Sequence, residues 1–290
     1  MSSQRTILIT GATGEQGGVV LNALLDMQPK ESFCIVAVTR SRNSNSAQSL
    51  VENPNISLVE GDLDNPDALF QSTGPVWGVF SVQVNSNAEE TQGKALVDAA
   101  IANGVSHFVY ASGDRGGPVQ SPQDPTTVPN FIAKYKIEKH LEKQAAVSPQ
   151  GMTYTVLRPV TFFENQTVDM HDKKLQMVST KDIVFFGAYA FLHPNSELCR
   201  NGAISIAGDE LNHAEAAAIF KEAIGTSMPM APCPVGSALK FFVNDTIGAM
   251  FKWFEGVGYG ADVEMCRKMR PGMQDYWTWL KESSGFVKAS

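Results

Sequence analysis

Two overlapping side-chain patterns in one predicted helix could each carry proton-transfer chemistry. Tyr135 and Lys139 stand four residues apart, as a general acid and a cofactor-binding lysine would on one helix face. Asn130, Lys134 and Glu138 repeat the four-residue spacing in a different register, without a tyrosine. Because successive helical residues lie about 100° apart around the axis, only one of the two lysines can face a bound cofactor. The choice between them decides whether a tyrosine is available as a proton donor.

A glycine-rich turn, G-A-T-G-E-Q-G-G, follows the first short apolar run and opens a predicted helix. Glycine is needed where a turn is tight and the backbone must approach a pyrophosphate, whose charge is met by free N–H groups and the positive end of the helix. The pattern therefore predicts a dinucleotide-binding turn. Its cofactor-binding candidates are Gly11, Thr13, Gly14, Gln16 and Gly17.

Side chains that follow the next three predicted strands extend this site. An NAD-preferring site would carry Asp or Glu after the second strand, whereas Arg40 offers a guanidinium for a 2'-phosphate and so favours NADP; a solvated arginine is the alternative. After the third strand, Asp62 could accept from the adenine amino group with Leu63 beside it, and Asp64 is expected to cap the following helix. Gln83, after the fourth strand, is placed to border the cofactor; a plain polar loop is the alternative.

Short β-branched runs alternate with amphipathic segments through the first half of the chain, which is typical of βαβ units around a parallel sheet. The predicted strands are Thr6–Thr10, Cys34–Thr39, Ile56–Glu60, Val76–Ser81, His107–Ala111, Thr153–Leu157 and Ala203–Ala207. The predicted helices are Gly17–Met27, Ala88–Asn103, Phe131–Ala146 and Asn212–Ile224. The pattern predicts an α/β fold, a doubly wound Rossmann sheet with a smaller C-terminal domain for substrate or partner. We assign residues 1–156 and about 180–225 to the nucleotide-binding domain, and 157–179 and 226–290 to the smaller one.

Composition and charge argue against several other classes of protein. The net charge of −7 and the pI near 5.3 argue against direct nucleic-acid binding, because phosphate neutralisation requires a basic face. The four cysteines lack C-x-x-C spacing, so they predict neither a metal site nor a disulfide framework. No apolar stretch approaches the length of a membrane span, and we expect a cytoplasmic protein without membrane association.

Ordered motifs along almost the whole chain carry a resemblance to a known family. Besides the glycine turn, they are T-R at Thr39, G-D-L-D at Gly61, F-V-Y-A-S-G-D-R-G-G at Phe108, L-R-P-V-T-F-F-E-N at Leu157 and I-A-G-D-E-L at Ile206. Together these motifs resemble those of the NmrA-like family of atypical short-chain dehydrogenases/reductases. The resemblance implies a Rossmann domain, a small C-terminal domain and bound NADP(H).

The resemblance also selects between the two helix registers. The family pattern resembles H-F-x-x-K-x-x-x-E, which makes Lys134 the family lysine, puts Asn130 in place of the usual histidine and leaves the tyrosine pattern as a chance match. In this register Lys134 would hold the nicotinamide-ribose hydroxyls and supply positive potential beside a developing oxyanion. An asparagine amide donates a hydrogen bond but cannot give up a proton. Lys134 is therefore itself the candidate proton donor.

Two further positions border the reaction centre in this interpretation. Ser112, after the fifth strand, would present a hydroxyl beside the nicotinamide, where related reductases often carry one; capping the turn before Gly113 is the alternative. Phe162 or Phe163, after the L-R-P motif, could cover the nicotinamide face.

We expect an NADPH-dependent oxidoreductase that reduces a small, apolar carbonyl or enone substrate, with Lys134 stabilising the oxyanion and Asn130 or Ser112 orienting the substrate. An aromatic and methionine-rich C-terminal half would shape the apolar pocket, although core packing is the competing explanation for its large side chains. The missing tyrosine leaves two alternatives open. One is a redox sensor that binds NADP and signals through a regulatory protein partner, as some members of the family do; the other is a redox-neutral isomerase or cyclase that retains NADP.

Overall fold

The computed structural model describes residues 4–14, 17–26, 33–165, 173–229 and 245–286. The predicted cofactor residue Gln16 and the segment 230–244 lie outside the described residues. The chain divides into two units. Unit 1 comprises Met1–Ser112, Ala133–Leu157 and Ile183–Ile204, and unit 2 comprises Gly113–Ile132, Arg158–Asp182 and Ser205–Ser290.

Strands and helices alternate along most of the chain. The strands are β1 (Arg5–Ile9), β2 (Phe33–Thr39), β3 (Ile56–Glu60), β4 (Gly78–Ser81), β5 (His107–Ala111), β6 (Thr153–Pro159), β7 (Thr161–Phe162), β8 (Leu175–Val178), β9 (Gly202–Ile206) and β10 (Asp209–Leu211). The α-helices are α1 (Gly17–Asp26), α2 (Asn45–Leu50), α3 (Pro66–Gln71), α4 (Glu89–Ala102), α5 (Gly117–Gln120), α6 (Pro129–Ala146), α7 (Thr180–Leu192), α8 (His213–Ile224), α9 (Asp245–Gly256), α10 (Val263–Met269) and α11 (Tyr276–Glu282). None of these helices, within the described residues, is long and apolar enough to cross a membrane.

Seven strands form one sheet in the order β3-β2-β1-β4-β5-β6-β9, and β1 to β6 pair in parallel. This order, with helices in the connections, is the doubly wound Rossmann arrangement, which confirms the predicted fold class. β3 and β5 have the predicted bounds, and the other predicted strands differ by one or two residues at an end. Because parallel strands bring their carboxyl ends to one edge of a sheet, the turns that follow β1 to β5 lie along that edge.

An apolar core in unit 1 packs the sheet against α3, α4 and α6. Leu8, Val79 and Phe108 contribute from the strands, and Ile137 contributes from α6. At Gly93 in α4, a Cβ atom would come within 2.5 Å of Ile137 Cδ1. Gly93 therefore allows α4 and α6 to approach more closely than any larger residue would at this position.

The prediction that Asp64 caps α3 was wrong, because the N-cap is the next residue. The helix begins at Pro66, as the Asn-Pro pair suggested, but Asn65 is the N-cap and makes no capping hydrogen bond through its side chain. Asp64, the predicted cap, instead accepts from Gln92 Nε2 at 2.7 Å. Its carboxylate thus links the turn after β3 to α4 and does not cap α3.

Unit 2 has a core of its own, in which aromatic side chains predominate. Its three-stranded sheet has the order β10-β8-β7. Phe163 stacks on Tyr276 with ring centroids 5.6 Å apart, and Phe131 meets Trp253 edge-on at 4.9 Å. Residues 113–132 and 205–225 were predicted to belong to the nucleotide-binding domain, whereas both segments cluster with unit 2. The physical reason is that Phe131 in the first segment and Phe220 in the second are buried in this aromatic core.

A fully buried carboxylate, Asp114, ties three segments of unit 2 together. Its Oδ1 accepts from Ser205 Oγ at 2.6 Å, and its Oδ2 accepts from Gly260 N at 2.9 Å and from Gly116 N at 3.2 Å. Gly117 N donates to both oxygens. Gly117 has a φ of +80°, and a Cβ atom there would lie 2.3 Å from Gly260 O, so glycine is required for the segments to meet.

Candidate functional site

The glycine turn after β1 is too tight to accept side chains. Gly11 has a φ of +61°, and a Cβ atom on it would lie 2.7 Å from Val82 Cγ1. A Cβ atom on Gly17, the first residue of α1, would lie 2.4 Å from Gly11 O. Gly14 N donates to Gly11 O at 2.8 Å and closes the turn, on which Thr13 is exposed. The turn therefore presents bare backbone at the start of a helix, which fits the close approach of a pyrophosphate.

The residues predicted to bind the adenosine half follow β2 and β3 at the same edge of the sheet. Arg40 is exposed directly after Thr39. Asp62 is also exposed, and its Oδ1 accepts from Asp64 N at 3.1 Å, which fixes the turn. Leu63 is half-buried and packs against the core of unit 1. Arg40 and Asp62 are thus accessible at the edge of the sheet, and their roles in cofactor binding stay predictions.

Three pairs of buried or nearly buried polar side chains, Gln83 with Ser81, Lys134 with Glu89 and Ser112 with Glu138, come from the ends of β4 and β5 and from the helices α4 and α6. We call them the polar cluster, and its members are Ser81, Gln83, Glu89, Ser112, Lys134 and Glu138. Lys134 Nζ lies 2.5 Å from Glu89 Oε1, and Ser112 Oγ donates to Glu138 Oε1. The Ser112 hydroxyl therefore bonds to a side chain of α6. This contact differs from the alternative role predicted for Ser112, which was to cap the turn before Gly113. Each contact joins a carboxylate to a group with a transferable proton.

Two buried acceptors in the polar cluster have no hydrogen-bond partner among the described residues. They are Gln83 Oε1 and Glu89 Oε2. The amide nitrogen of Gln83 does have a partner, since Nε2 donates to Ser81 Oγ at 2.8 Å. Buried polar atoms in proteins are nearly always paired. These two oxygens are therefore the atoms with which a donor group of a bound molecule would pair.

The two helix registers have different surroundings in the structure. The Lys134 side chain is 14% exposed, and Glu138, one turn further along α6, is fully buried. Tyr135 is half-buried, and Lys139 Nζ lies 5.7 Å from the centre of its ring. Lys139 also pairs with Glu142 at 2.8 Å, with both side chains about one-third exposed. The Lys134 register thus belongs to the polar cluster, and its contact with a cofactor stays a prediction.

Glu89 is the member of the polar cluster that the sequence analysis missed. It is the first residue of α4 and is only 1% exposed. Burial raises the pKa of its carboxyl above the ordinary value, and the Lys134 ammonium opposes that rise. A sequence signal was present, because Glu89 falls in helical register with the buried positions Gly93, Leu96 and Ala100. An acidic residue on the apolar stripe of a helix indicates a buried partner.

Two of the predicted site residues belong to unit 2. Asn130 is half-buried in the first turn of α6, and Phe162 is half-buried in β7. Phe163, the other phenylalanine considered for the nicotinamide face, is fully buried against Tyr276 and Trp279 and is unavailable to a ligand. The roles of Asn130 and Phe162 stay predictions. Among the described residues, no three His, Cys, Asp or Glu side chains group together as metal ligands.

Comparisons with known proteins give the family and its relatives. The profile of the NmrA-like family matches residues 3–279. FrzB of Cladobotryum sp., an NmrA-like family domain-containing oxidoreductase, is 31% identical over 169 residues, which are 55% of this chain and 47% of that protein. NAD(P)H azoreductase of Xenophilus azovorans is 24% identical over 233 residues, 76% of this chain and 74% of that protein. The chain spans about half the length of FrzB and about one-third of the length of several other relatives.

Solved structures share the fold at low sequence identity. Triphenylmethane reductase of Citrobacter sp., in complex with NADP(H), superimposes with a TM-score of 0.75 at 17% identity, over 96% of this chain and all of that one. The negative transcriptional regulator NmrA, in complex with NADP, gives 0.70 at 18% identity, over 97% of this chain and 96% of that one. One of these proteins is a reductase and the other a regulator, so the fold does not select between the two functions.

Proposed function

This chain belongs to the NmrA-like family, and from that premise we propose that it is an NADPH-dependent reductase of a small, apolar carbonyl or enone compound. The observation that carries the proposal is the Lys134 ammonium, held by Glu89 in the polar cluster at the carboxyl edge of the sheet. A reductase needs a cation or acid of this kind where negative charge develops on the substrate oxygen. The oxidoreductase names of several relatives support the same class of reaction.

The residues of unit 1 fit a nicotinamide dinucleotide phosphate. The glycine turn of Gly11, Gly14 and Gly17 would accept the pyrophosphate, because it is the cradle that Cβ atoms would fill. Arg40 would pair with the 2'-phosphate, and Asp62 would accept from the adenine amino group. Leu63 and Gln83 would border the bound dinucleotide. When bound, NADPH supplies a hydride to the electrophilic carbon and becomes NADP⁺.

The chain's own residues would manage charge and protons at the substrate oxygen. As the carbonyl carbon is reduced and the C=O π bond breaks, Lys134 stabilises the developing oxyanion and gives it a proton, so the product is an alcohol. The lysine regains a proton from solvent after turnover. Ser112 orients the substrate, while its bond to Glu138 fixes the hydroxyl in position. No tyrosine is needed in this scheme.

The experiment that tests the proposal follows NADPH oxidation by absorbance across a panel of aldehydes, ketones, quinones and enones. We expect turnover of at least one apolar compound, and a loss of about 100- to 1,000-fold in kcat/KM for Lys134→Ala, because an oxyanion-stabilising group is removed. Lys136→Ala is the matched control, since Lys136 is exposed on the same helix and pairs with Glu90 at the surface. This variant should keep wild-type activity.

Absence of NADPH oxidation with every compound would contradict the reductase. Calorimetry with NAD⁺, NADH, NADP⁺ and NADPH would then separate the remaining functions, because a sensor must distinguish the redox forms that it reports. Equal affinity for oxidised and reduced forms would contradict a sensor as well.

A further inference from the structure

We propose that Glu89 is a positioning residue for Lys134, holding the lysine ammonium at the carboxyl edge of the sheet through an ion pair between α4 and α6. The functional meaning of this role rests on the proposed function, since that function assigns the oxyanion to Lys134. The contact itself does not depend on any substrate.

The geometry selects Glu89 among the acidic residues near Lys134. Its Oε1 lies 2.5 Å from Lys134 Nζ, whereas Glu138, which shares the helix with Lys134, accepts from Ser112. Gly93 lies one turn after Glu89 in α4, and Ile137 lies one turn after Lys134 in α6. The close packing of Gly93 on Ile137 therefore brings the two helices together next to the ion pair. The backbone of both helices thus places the two groups together, so the contact does not rely on long side chains extending through solvent.

The neighbouring Glu90 shows what an ordinary ion pair on the same helix turn looks like. Glu90 pairs with Lys94 at 2.6 Å and with Lys136 of α6 at 2.9 Å, and its side chain is 31% exposed. Exposed pairs of this kind hold their partners weakly because water screens the charges. Glu89 makes the corresponding contact to α6 at 1% exposure, where removing one partner leaves the other charge buried and uncompensated.

Glu89 also differs from a carboxylate that only holds the fold together. Its Oε2 has no hydrogen-bond partner among the described residues. A purely structural carboxylate at this depth would be expected to have both oxygens satisfied, as Asp114 has. Burial raises the pKa of the Glu89 carboxyl above its ordinary value even though the Lys134 ammonium opposes that rise.

The test measures the acylation of Lys134 by acetic anhydride as a function of pH, using the full chain without substrate and mass spectrometry of the peptide that contains Lys134. Glu89→Gln keeps the size and an acceptor oxygen but removes the charge. We expect the pH midpoint of Lys134 acylation to fall by about 1 to 3 pH units in this variant, because a nearby carboxylate favours the ammonium form. Glu90→Gln, the matched control on the next residue, should leave the Lys134 midpoint where it is in the wild type.

An unchanged Lys134 midpoint in a folded Glu89→Gln variant would overturn the proposal, and so would an equal fall in Glu90→Gln. If Glu89→Gln does not fold, Glu89→Asp replaces it, because this variant keeps the charge but draws the carboxylate back from Nζ. Its midpoint should move in the same direction by a smaller amount, and a wild-type midpoint there would again overturn the proposal.

The outcome is separate from that of the proposed function. A shifted midpoint without any NADPH oxidation would leave Glu89 as the positioning residue of a protein that is not a reductase. Where activity is present, the alkaline limb of the kcat/KM profile should move with the acylation midpoint in Glu89→Gln. Activity with unmoved midpoints would instead keep the reductase and remove this role of Glu89.

Discussion

Glu89 in unit 1 and Asp114 in unit 2 are both buried carboxylates, but their oxygens have very different surroundings. Both oxygens of Asp114 accept from backbone N–H groups, and Oδ1 also accepts from the Ser205 hydroxyl. Glu89 has one oxygen on the Lys134 ammonium and the other without a partner among the described residues. Two carboxylates of equal burial can therefore differ in whether they have capacity left for another molecule.

The difference separates a structural role from a chemical one. Fully paired polar groups fix the position of the chain, and a further ligand could only displace bonds already made. An incompletely paired carboxylate beside an ammonium lowers the stability of the fold, but its charge and its unpaired oxygen remain available to interact with a bound molecule. This difference supports the proposed role of the polar cluster in binding substrate or cofactor, whereas Asp114 holds segments of unit 2 together.

The largest effect expected from the comparison of Glu89 with Asp114 is a loss of folding stability when Asp114 is replaced. Asp114→Ala should lower the free energy of unfolding by about 4 kcal/mol or more, because several buried donors, including Ser205 Oγ and Gly260 N, would lose their acceptor. Urea unfolding followed by tryptophan fluorescence measures it. Glu222→Ala, an exposed carboxylate on α8, should change stability by less than about 0.5 kcal/mol. Similar losses for the two variants would remove the structural role of Asp114.

A buried histidine in unit 1 gives the next largest effect, and it depends on pH. His107 is 1% exposed, with Nδ1 2.8 Å from Thr153 Oγ1 and Nε2 3.2 Å from Thr155 Oγ1, and burial lowers its pKa from 6.5 to about 4. The unfolded chain therefore takes up this proton first as pH falls. The imidazole contributes stability above pH 6.5, and that contribution is lost progressively between pH 6.5 and about 4.

The size of this loss follows from the two pKa values and is about 3 kcal/mol. Urea unfolding of the wild type and of His107→Gln at several pH values between 6.5 and 4 should give a smaller decline for the variant, which has no imidazole to protonate. Parallel declines would show that His107 does not titrate in this range.

The smallest expected effect concerns the second helix register. Tyr135→Phe should stay within about twofold of wild-type kcat/KM, because the tyrosine stands outside the polar cluster and phenylalanine keeps the ring beneath Lys139. The same assay as for Lys134→Ala provides the measurement. A loss as large as that of Lys134→Ala would overturn the assignment of proton transfer to the Lys134 register alone.

Local patterns predicted the strands of unit 1 well, since each is a short β-branched run between turn residues and lies in a buried parallel sheet. α7 was missed for a physical reason. Phe186, Ala188 and Phe191 are fully buried on different sides of the helix, so its sequence has no amphipathic period to detect. Periodicity marks a helix only when one of its faces meets water.

The candidate site was predicted in part. Lys134, Ser112 and Gln83 were named as candidates because each follows a strand or occupies a family motif, and their roles stay predictions. Glu89 was missed because its partner lies 45 residues away along the chain and the pairing depends on how two helices pack. Asp114 was quoted within a motif but given no role, since its partners Ser205 and Gly260 come from remote segments that sequence spacing does not connect.

The bonds of Asp114 also bear on the order of folding during synthesis. Ser205 lies 91 residues and Gly260 lies 146 residues beyond Asp114, so these bonds cannot all form until the segment that contains Gly260 has been made. Strands β1 to β5, in contrast, lie within the first 111 residues and can pair much earlier. We therefore expect β1 to β5 to pair while the ribosome is still adding residues, and the bonds of Asp114 in unit 2 to wait for the segments that contain Ser205 and Gly260.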